Sequence, residues 1–278
     1  MSTSSCQDQD RNNQYSKQQT VDSSDDEDIV IYEPEDQGNH FLPREYLRAF
    51  YTTAQEDDAM KMVLFFLPGM ALRIPPAKTL LDIGSGPTVH VAIAFRRRIQ
   101  KIFLSDFAAQ NRAELRKWWE GGPDCFDWTA VMNWIALIEG EAKNPTGMSK
   151  ETRERITDIL HCDVLEPSGC VLLDSKVSKT PNQFDVITSI FCLEYATRSK
   201  NSYEVALRNI LTLLKPTGYI LLGGVFEARS YKFAGMKFRS FYLEKDHFLR
   251  VLREEFVQQK TLIMHDGVFV FVGQKMPQ

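Results

Sequence analysis

The first 38 positions are mostly polar, and the apolar positions that follow fall into helical and strand rhythms. From Pro43 they recur at three- and four-residue spacing. Tyr46, Leu47, Phe50 and Tyr51, then Met60, Val63 and Leu64, predict helical segments with one buried face. Pro68-Gly69 is expected to break or bend that run. Thr79 to Ile83 reads as a short buried strand, followed by a glycine turn, a helix near Pro87 to Arg97 and a strand at Lys101 to Ser105. Helices over about Ala109 to Glu120, Asp127 to Glu141 and Lys150 to Leu160 come next, with strands at His161 to Val164 and Phe184 to Ser189. In the helix Tyr203 to Leu214, the residues Tyr203, Leu207, Ile210 and Leu214 share one face, and Lys215-Pro216-Thr217-Gly218 stops it. Strand Tyr219 to Val225 and a helix near Glu244 to Glu254 follow. Strands Thr261 to Met264 and Val268 to Gly273 close the chain, joined by His265-Asp266-Gly267, whose Asp-Gly is a preferred hairpin dipeptide. This order predicts an α/β fold: a mostly parallel sheet with helices on both faces and a C-terminal antiparallel hairpin.

Composition narrows the use of such a fold. Residues 1 to 38 are rich in Ser, Gln, Asn and Asp and include Asp25, Asp26, Glu27 and Asp28, so they are expected to be a disordered acidic tail ahead of one domain over 39–278. Ser23 and Ser24 are candidate phosphorylation sites before that run. A 43% hydrophobic content in 278 residues supplies a core. Net charge is −4 and the 33 Lys and Arg are dispersed, which leaves no footprint for a nucleic-acid backbone. Arg96, Arg97 and Arg98, the densest basic run, are expected at the solvated end of a helix. The longest apolar run, Met62 to Leu67, is too short to span a bilayer, and the first residues lack a signal-like apolar core. Five cysteines without a close pair suit free thiols in a reducing compartment and give no metal cluster. A cytoplasmic monomer without membrane or nucleic-acid partners is expected.

The strongest local signal is Leu80-Leu81-Asp82-Ile83-Gly84-Ser85-Gly86-Pro87-Thr88, an apolar strand running into a turn whose glycines let a ligand approach the backbone. Pro87 suits the first turn of the next helix. A dinucleotide site calls for a third glycine at position 89, to bring the helix start against a pyrophosphate, and the residue there is Val89. Asp106 ends the second strand, 24 residues after Asp82, where a carboxylate accepts hydrogen bonds from both hydroxyls of a ribose. A glycine turn and a ribose acid without a phosphate-grade helix start suit a nucleoside lacking phosphates, such as S-adenosylmethionine. Phe107 is placed to lie against adenine, and Asp163 to take the adenine amino group. A core ring for Phe107 and a turn or cap for Asp163 are the other readings.

Further motifs accompany these: Pro43-Arg44-Glu45-Tyr46-Leu47 with Tyr51, Ser105-Asp106-Phe107 with Gln110-Asn111, Phe126-Asp127-Trp128, Cys162-Asp163-Val164, Phe191-Cys192-Leu193-Glu194, and Ala206-Leu207-Arg208-Asn209 through Leu214-Lys215-Pro216. In that combination the chain, from about Phe41 to Met276, resembles the nicotinamide, phenylethanolamine and indolethylamine N-methyltransferase family. The resemblance implies a Rossmann-like methyltransferase fold, S-adenosylmethionine as cofactor, and an N-terminal lid over both ligands. It implies that Tyr46 and Tyr51 hold the methionine carboxylate and that Gly84 and Ser85 lie under the methionyl part. Asp106 and Asn111 then match ribose and amino-acid contacts, and Asp163 and Val164 adenine contacts, with Ile190 in the same cofactor set. His90 stands where the nicotinamide enzymes carry a tyrosine against the cofactor; it reads as a cofactor contact or as a histidine satisfied in its helix.

Methyl transfer from a sulfonium is an in-line displacement, so the protein mainly supplies alignment and desolvation. A pyridine nitrogen has a free lone pair at neutral pH, whereas an alkylamine must lose a proton to attack, and carboxylates in the acceptor pocket favour the amine. Glu194, just beyond the fourth strand, and Glu227, just beyond the fifth, are the candidate catalytic acids at the carboxyl edge of the sheet, where open parallel sheets bind ligands. Each matches a glutamate near the amine in phenylethanolamine-type enzymes, and a solvated surface is the other reading of both. Phe191 and Tyr231 are expected as aromatic walls, with Ser240 in the acceptor set. Relatives carry a longer connection between the last two strands that covers the acceptor; here His265-Asp266-Gly267 turns tightly. The expected activity is methyl transfer from S-adenosylmethionine to the nitrogen of a small amine. A nicotinamide or other pyridine acceptor, and a non-catalytic cofactor-binding protein acting by interaction, are the alternatives.

Overall fold

A computed structural model describes residues 30–53, 57–173 and 180–277. Ser23, Ser24 and the acidic run lie outside the described residues. In chain order, strand β1 (Ile31–Tyr32), a 3-10 turn (Pro34–Asp36) and the one-turn helix α1 (Gln37–His40) precede α2 (Pro43–Tyr51) and α3 (Asp58–Arg73). There follow β2 (Ala77–Ile83), α4 (His90–Phe95), β3 (Ile99–Asp106), α5 (Ala109–Glu120), α6 (Thr129–Ile138), α7 (Pro145–Arg155), β4 (Ile156–His161) and β5 (Phe184–Ile190). The rest comprises α8 (Leu193–Ala196), α9 (Lys200–Thr212), β6 (Leu214–Val225), β7 (Ser230–Phe233), β8 (Met236–Arg239), α10 (Lys245–Glu254), β9 (Val257–His265) and β10 (Val268–Lys275).

The main sheet has the order β4-β3-β2-β5-β6-β10-β9, parallel from β4 to β6, with β10 antiparallel to both β6 and β9. This is the expected class, including the closing hairpin. Asp266 and Gly267, at φ of 46° and 81°, turn that hairpin in two residues between the paired His265 and Val268. Strand alternation builds a core on each face: Val268, Val270 and Val272 of β10 join the cluster with α3, α4 and α6, while Phe269 and Phe271 join the one with α9 and α10. The winding reverses between β2 and β5, and the crevice beyond their carboxyl ends is where such sheets bind ligands.

Several boundaries differ from the sequence expectation. Ile31 and Tyr32, expected in the tail, pair with Lys237 and Phe238 in a second sheet, β1-β8-β7, beside Phe41 and Phe233. Helix α3 runs through Pro68 to Arg73, since Leu64, Leu67, Pro68 and Ala71 are all buried and packing outweighs one missing backbone donor. The helix expected from Pro87 begins at His90, because the Thr88 hydroxyl and N–H both bond the Ser85 carbonyl, at 2.7 and 3.3 Å, and hold the turn open. Residues 156–160 are strand, not helix: Ile156 is extended and pairs with Ile102 on β3. Arg96 is 1% exposed rather than solvated, and its guanidinium lies 2.6 Å from Glu139 and 3.1 Å from Glu151, the pairing a buried cation requires.

Candidate active site

At the end of β2, Gly84 and Gly86 have φ of +66° and +60°, a region glycine enters freely. They serve different purposes. A Cβ on Gly84 would sit 2.1 Å from the Cys192 Sγ, whereas one on Gly86 would meet nothing within 4 Å. The first glycine allows close packing against the segment after β5, and the second leaves the backbone approachable. Between them Ser85 is pinned: its N–H donates to the Ser105 carbonyl (2.9 Å) and its hydroxyl to the Asp82 carbonyl (3.2 Å).

Asp106, at the carboxyl end of β3, is 7% exposed. Its Oδ2 accepts the Gly86 N–H (2.8 Å), and its Oδ1 accepts the Ala108 N–H (2.8 Å) and the Asn111 amide (3.0 Å). A carboxylate offers about four acceptor directions, so capacity remains for a ligand hydroxyl. Burial pushes the Asp106 carboxyl above its ordinary range, opposed by Asn111, Ala108, Gly86 and the Arg112 charge. The other end of the Asn111 amide, Oδ1, is buried with no partner. Phe107 is half exposed, its ring 5.9 Å from that of His161. Asp163 forms a turn, its Oδ1 accepting the Leu165 N–H (2.8 Å). Val164 and Ile190 are buried in the cores on opposite faces of the sheet.

Across the crevice, α2 supplies Tyr46 and Tyr51. Burial raises both phenols above their ordinary value and keeps them as neutral donors. The Tyr51 hydroxyl lies 3.4 Å from His90 Nδ1, and the rings stack at 5.5 Å. Burial pushes His90 down to about 3, so the imidazole is neutral, and its Nε2 is buried without a partner.

Glu194, in the first turn of α8, is 2% exposed. Its Oε1 accepts the Val225 N–H (3.1 Å), and a Cβ on Gly224 would come within 2.5 Å of that oxygen. Burial pushes the carboxyl up to about 7, lowered only by backbone hydrogen bonds; no cation among the described residues offsets it. Its charge is felt by Tyr46, Tyr195 and Tyr231, and Tyr231 also senses Asp106. The rings of Tyr195 and Tyr231 are 4.4 Å apart. Phe191 holds φ of 51°, its N–H donating to the Gly223 carbonyl (2.8 Å). Ser240 is buried, with its N–H on the Arg229 carbonyl (2.8 Å). Glu227 is exposed, in a left-handed turn at φ of 60°.

Sequence reasoning did not assign Asp82 or Tyr195. Asp82 is 2% exposed, accepts the Thr188 hydroxyl at 2.6 Å and is pushed up to about 6 by burial beside Asp106. A lone acid inside the apolar run Leu80 to Ile83 was the available signal. Nothing local marks Tyr195.

A family model described as the NNMT/PNMT/TEMT family matches residues 30–276. A nicotinamide N-methyltransferase of Caenorhabditis elegans is 36% identical over 260 residues, covering 90% of this chain and 94% of its own. An indolethylamine N-methyltransferase of Oryctolagus cuniculus is 31% identical over 222 residues, covering 74% of this chain and 78% of its own. Among solved structures, an O-methyltransferase family protein from Burkholderia thailandensis superposes with a TM-score of 0.54 at 12% identity, over 89% of this chain and 64% of its own, a likeness of fold. No helix among the described residues is long and apolar enough to cross a membrane.

Proposed function

Since the chain belongs to the NNMT/PNMT/TEMT family and is an S-adenosylmethionine-dependent N-methyltransferase, we propose that its acceptor is a small amine held by Glu194. The observation that carries this reading is the buried Glu194 carboxyl, near neutrality at about 7, with phenols around it and no cation beside it. Such a group binds an ammonium or accepts its proton, and a pyridine nitrogen needs neither. Tyr195 and Tyr231 supply aromatic faces suited to a cation. Phe191 and Ser240 complete the acceptor side, while Glu227, open to solvent, receives no proton-transfer role here.

The cofactor, when bound, supplies a methyl group on a cationic sulfur. Asp106 and Asn111 hold the ribose side, with Gly84, Ser85 and Gly86 as the floor and Ile190 closing it from β5. Phe107 would cover the adenine, and Asp163 and Val164 would contact it. Tyr46 and Tyr51 would donate to the cofactor's carboxylate, with neutral His90 keeping the Tyr51 hydroxyl in place. The buried Asn111 Oδ1 and the open side of Gly86 support this assignment, since both suit a polar nucleoside. The role of the protein is to align the two reactants and exclude water.

A second reading, a nicotinamide or other pyridine acceptor, is supported by the name of the 36% identical relative. Isothermal titration with S-adenosylmethionine, followed by a methyl-transfer screen of amines against pyridines, tests both. Turnover of pyridines alone would overturn the amine reading.

A further inference from the structure

The helix that follows the ribose acid carries more than Asn111. Gln110, Asn111 and Glu114 stand one and four positions apart on α5 and share one flank of it. Each holds a different neighbour. Gln110 Nε2 donates to the carbonyls of Gln37 (3.2 Å) and Gly38 (2.8 Å) in α1, Asn111 Nδ2 donates to Asp106 (3.0 Å), and Glu114 Oε1 lies 2.6 Å from Arg44 Nε in α2.

The last contact is unusual in its setting. The Glu114 side chain is 6% exposed and that of Arg44 29%. Oε1 receives no aligned N–H, so the attraction is Coulombic rather than directional. Lys117, half exposed, reaches Oε2 at 3.4 Å, and Arg44 also reaches the carbonyl of Asp124 and, at 3.5 Å, its carboxylate. Burying a carboxylate for a pair of this kind brings little net stability. Its position gives it another use: Arg44 lies in the first turn of α2, two residues before Tyr46 and seven before Tyr51.

We infer that the Arg44–Glu114 ion pair seats α2 on α5, which makes Arg44 a positioning residue for Tyr46 and Tyr51 and links the seating of the lid helix to the ribose end of the site. One helix then carries both messages: Asn111 orients Asp106, and Glu114, one turn further on, fixes the height of the tyrosines. The inference rests on the reading of those tyrosines as cofactor contacts.

Titration of the full chain with S-adenosylmethionine compares Arg44→Met, Glu114→Gln, their double variant, Arg44→Lys and Tyr46→Phe with the wild type. Each of the first two is expected to weaken cofactor binding about tenfold, or about 1.4 kcal/mol. The double variant should be at most about twofold worse than either, since the two residues act as one unit. Arg44→Lys should recover part of the loss, and kcat at saturating cofactor should stay within about twofold of wild type, a split that mere destabilisation does not produce. If Tyr46→Phe leaves the affinity unchanged, the reading of the tyrosines fails and the link with it. If Tyr46→Phe weakens binding while Arg44→Met and Glu114→Gln do not, the link alone is overturned. Hydrogen exchange of the wild type decides the matter even if a variant does not fold: on cofactor addition, α2 and residues 109–114 should gain protection together, and protection confined to α5 overturns the inference.

Discussion

Between Asp82 and Asp106 a single stretch of chain makes nearly the whole of the proposed cofactor corner: Asp82, Ser85, Gly86 and Asp106 bond one another or their own backbone, and Thr188 and Asn111 add one side-chain bond each. Around Glu194 the surroundings come from four other segments: Val225 at the end of β6 and the Phe241 N–H on the Glu194 carbonyl touch it, and Tyr46 of α2 and Tyr231 of β7 feel its charge, as does its neighbour Tyr195 in α8. The physical consequence is a difference in satisfaction. The Asp106 carboxylate already accepts three hydrogen bonds, whereas the Glu194 carboxyl is enclosed with backbone donors alone and stays close to neutrality at about 7. A pre-satisfied corner suits a ligand that never changes, and an under-compensated acid suits a cationic or proton-bearing one.

The largest effect is expected at the corner. Asp106→Ala removes the acceptor of three protein donors and, in the proposed site, of the ribose; each hydrogen bond to a charged group is worth about 1.5 to 3 kcal/mol, so cofactor affinity should fall more than about a hundredfold. Titration calorimetry reads it, and an unchanged dissociation constant would place the cofactor elsewhere. Gly84→Ala should come next. It adds a left-handed alanine, costing about 1 to 2 kcal/mol, to a collision with the Cys192 sulfur. Combining it with Cys192→Gly, which removes both the sulfur and the Cβ that would lie 2.7 Å away, should recover the collision but not the backbone cost, a coupling of at least about 0.5 kcal/mol in thermal unfolding. Strict additivity would mean that the corner does not lean on the segment after β5.

This difference also explains what the sequence made readable. The arrangement of the corner was legible because strand, glycines and Asp106 follow each other within one βαβ unit, so spacing carries the geometry. The mostly parallel character of the main sheet and the Asp266-Gly267 hairpin were legible for the same local reason, whereas the strand order was not read from the sequence. Strands β1, β7 and β8 were not: they are two to four residues long, β1 is set by pairing between positions about 30 and 238, which no local period encodes, and the β7–β8 hairpin is too short to show an alternation of its own. Arg96 shows the limit from the other side, since a basic triplet reads as solvated until Glu139 and Glu151 arrive from other helices. Tyr195 gave no signal because its neighbours, Tyr231 and the Gln37 amide on its carbonyl, are 36 residues ahead and 158 behind.

Glu194→Gln is expected to separate the two regions most cleanly. Amine turnover at low substrate should fall about ten- to a hundredfold, the loss of one charge-assisted contact of about 1.5 to 3 kcal/mol, while cofactor affinity barely moves. The pH dependence follows from burial. With its pKa raised to about 7 in the fold from 4.5, the native carboxyl keeps its proton while the unfolded chain releases it. Its contribution is therefore fully present below about pH 4.5 and lost as pH rises to about 7, for a total of about 3 kcal/mol. Glu194→Gln removes that loss, so at pH 8 the variant should melt higher than the wild type while being the poorer enzyme. The wild-type kcat/KM for an amine should rise through about pH 7, and the limb should vanish in the variant. A variant both less stable at pH 8 and equally active would end the proposed role of Glu194.

The smallest effect is expected at the outer edge of the proposed acceptor side, where Glu33 ties the segment after β1 to its surroundings. Its carboxylate lies 2.7 Å from Arg239 and 3.4 Å from Arg198, and both cations are about half exposed. Exposed pairs bring less than about 1 kcal/mol each, because water screens the attraction and two long side chains lose rotamer freedom. Glu33→Ala should thus lower the melting temperature by only about 2 °C in a chain of this size. The difference should shrink as salt shortens the Debye length to about 3 Å near 1 M. Cofactor affinity should be unaffected, because Glu33 has no partner at the glycine turn, while the KM for an amine should rise modestly, since β1 pairs with β8 and β8 with the strand that carries Tyr231. A loss of more than about 5 °C that persists in high salt would show that β1 is a cornerstone of the fold, and the acceptor side would then be no more loosely assembled than the corner.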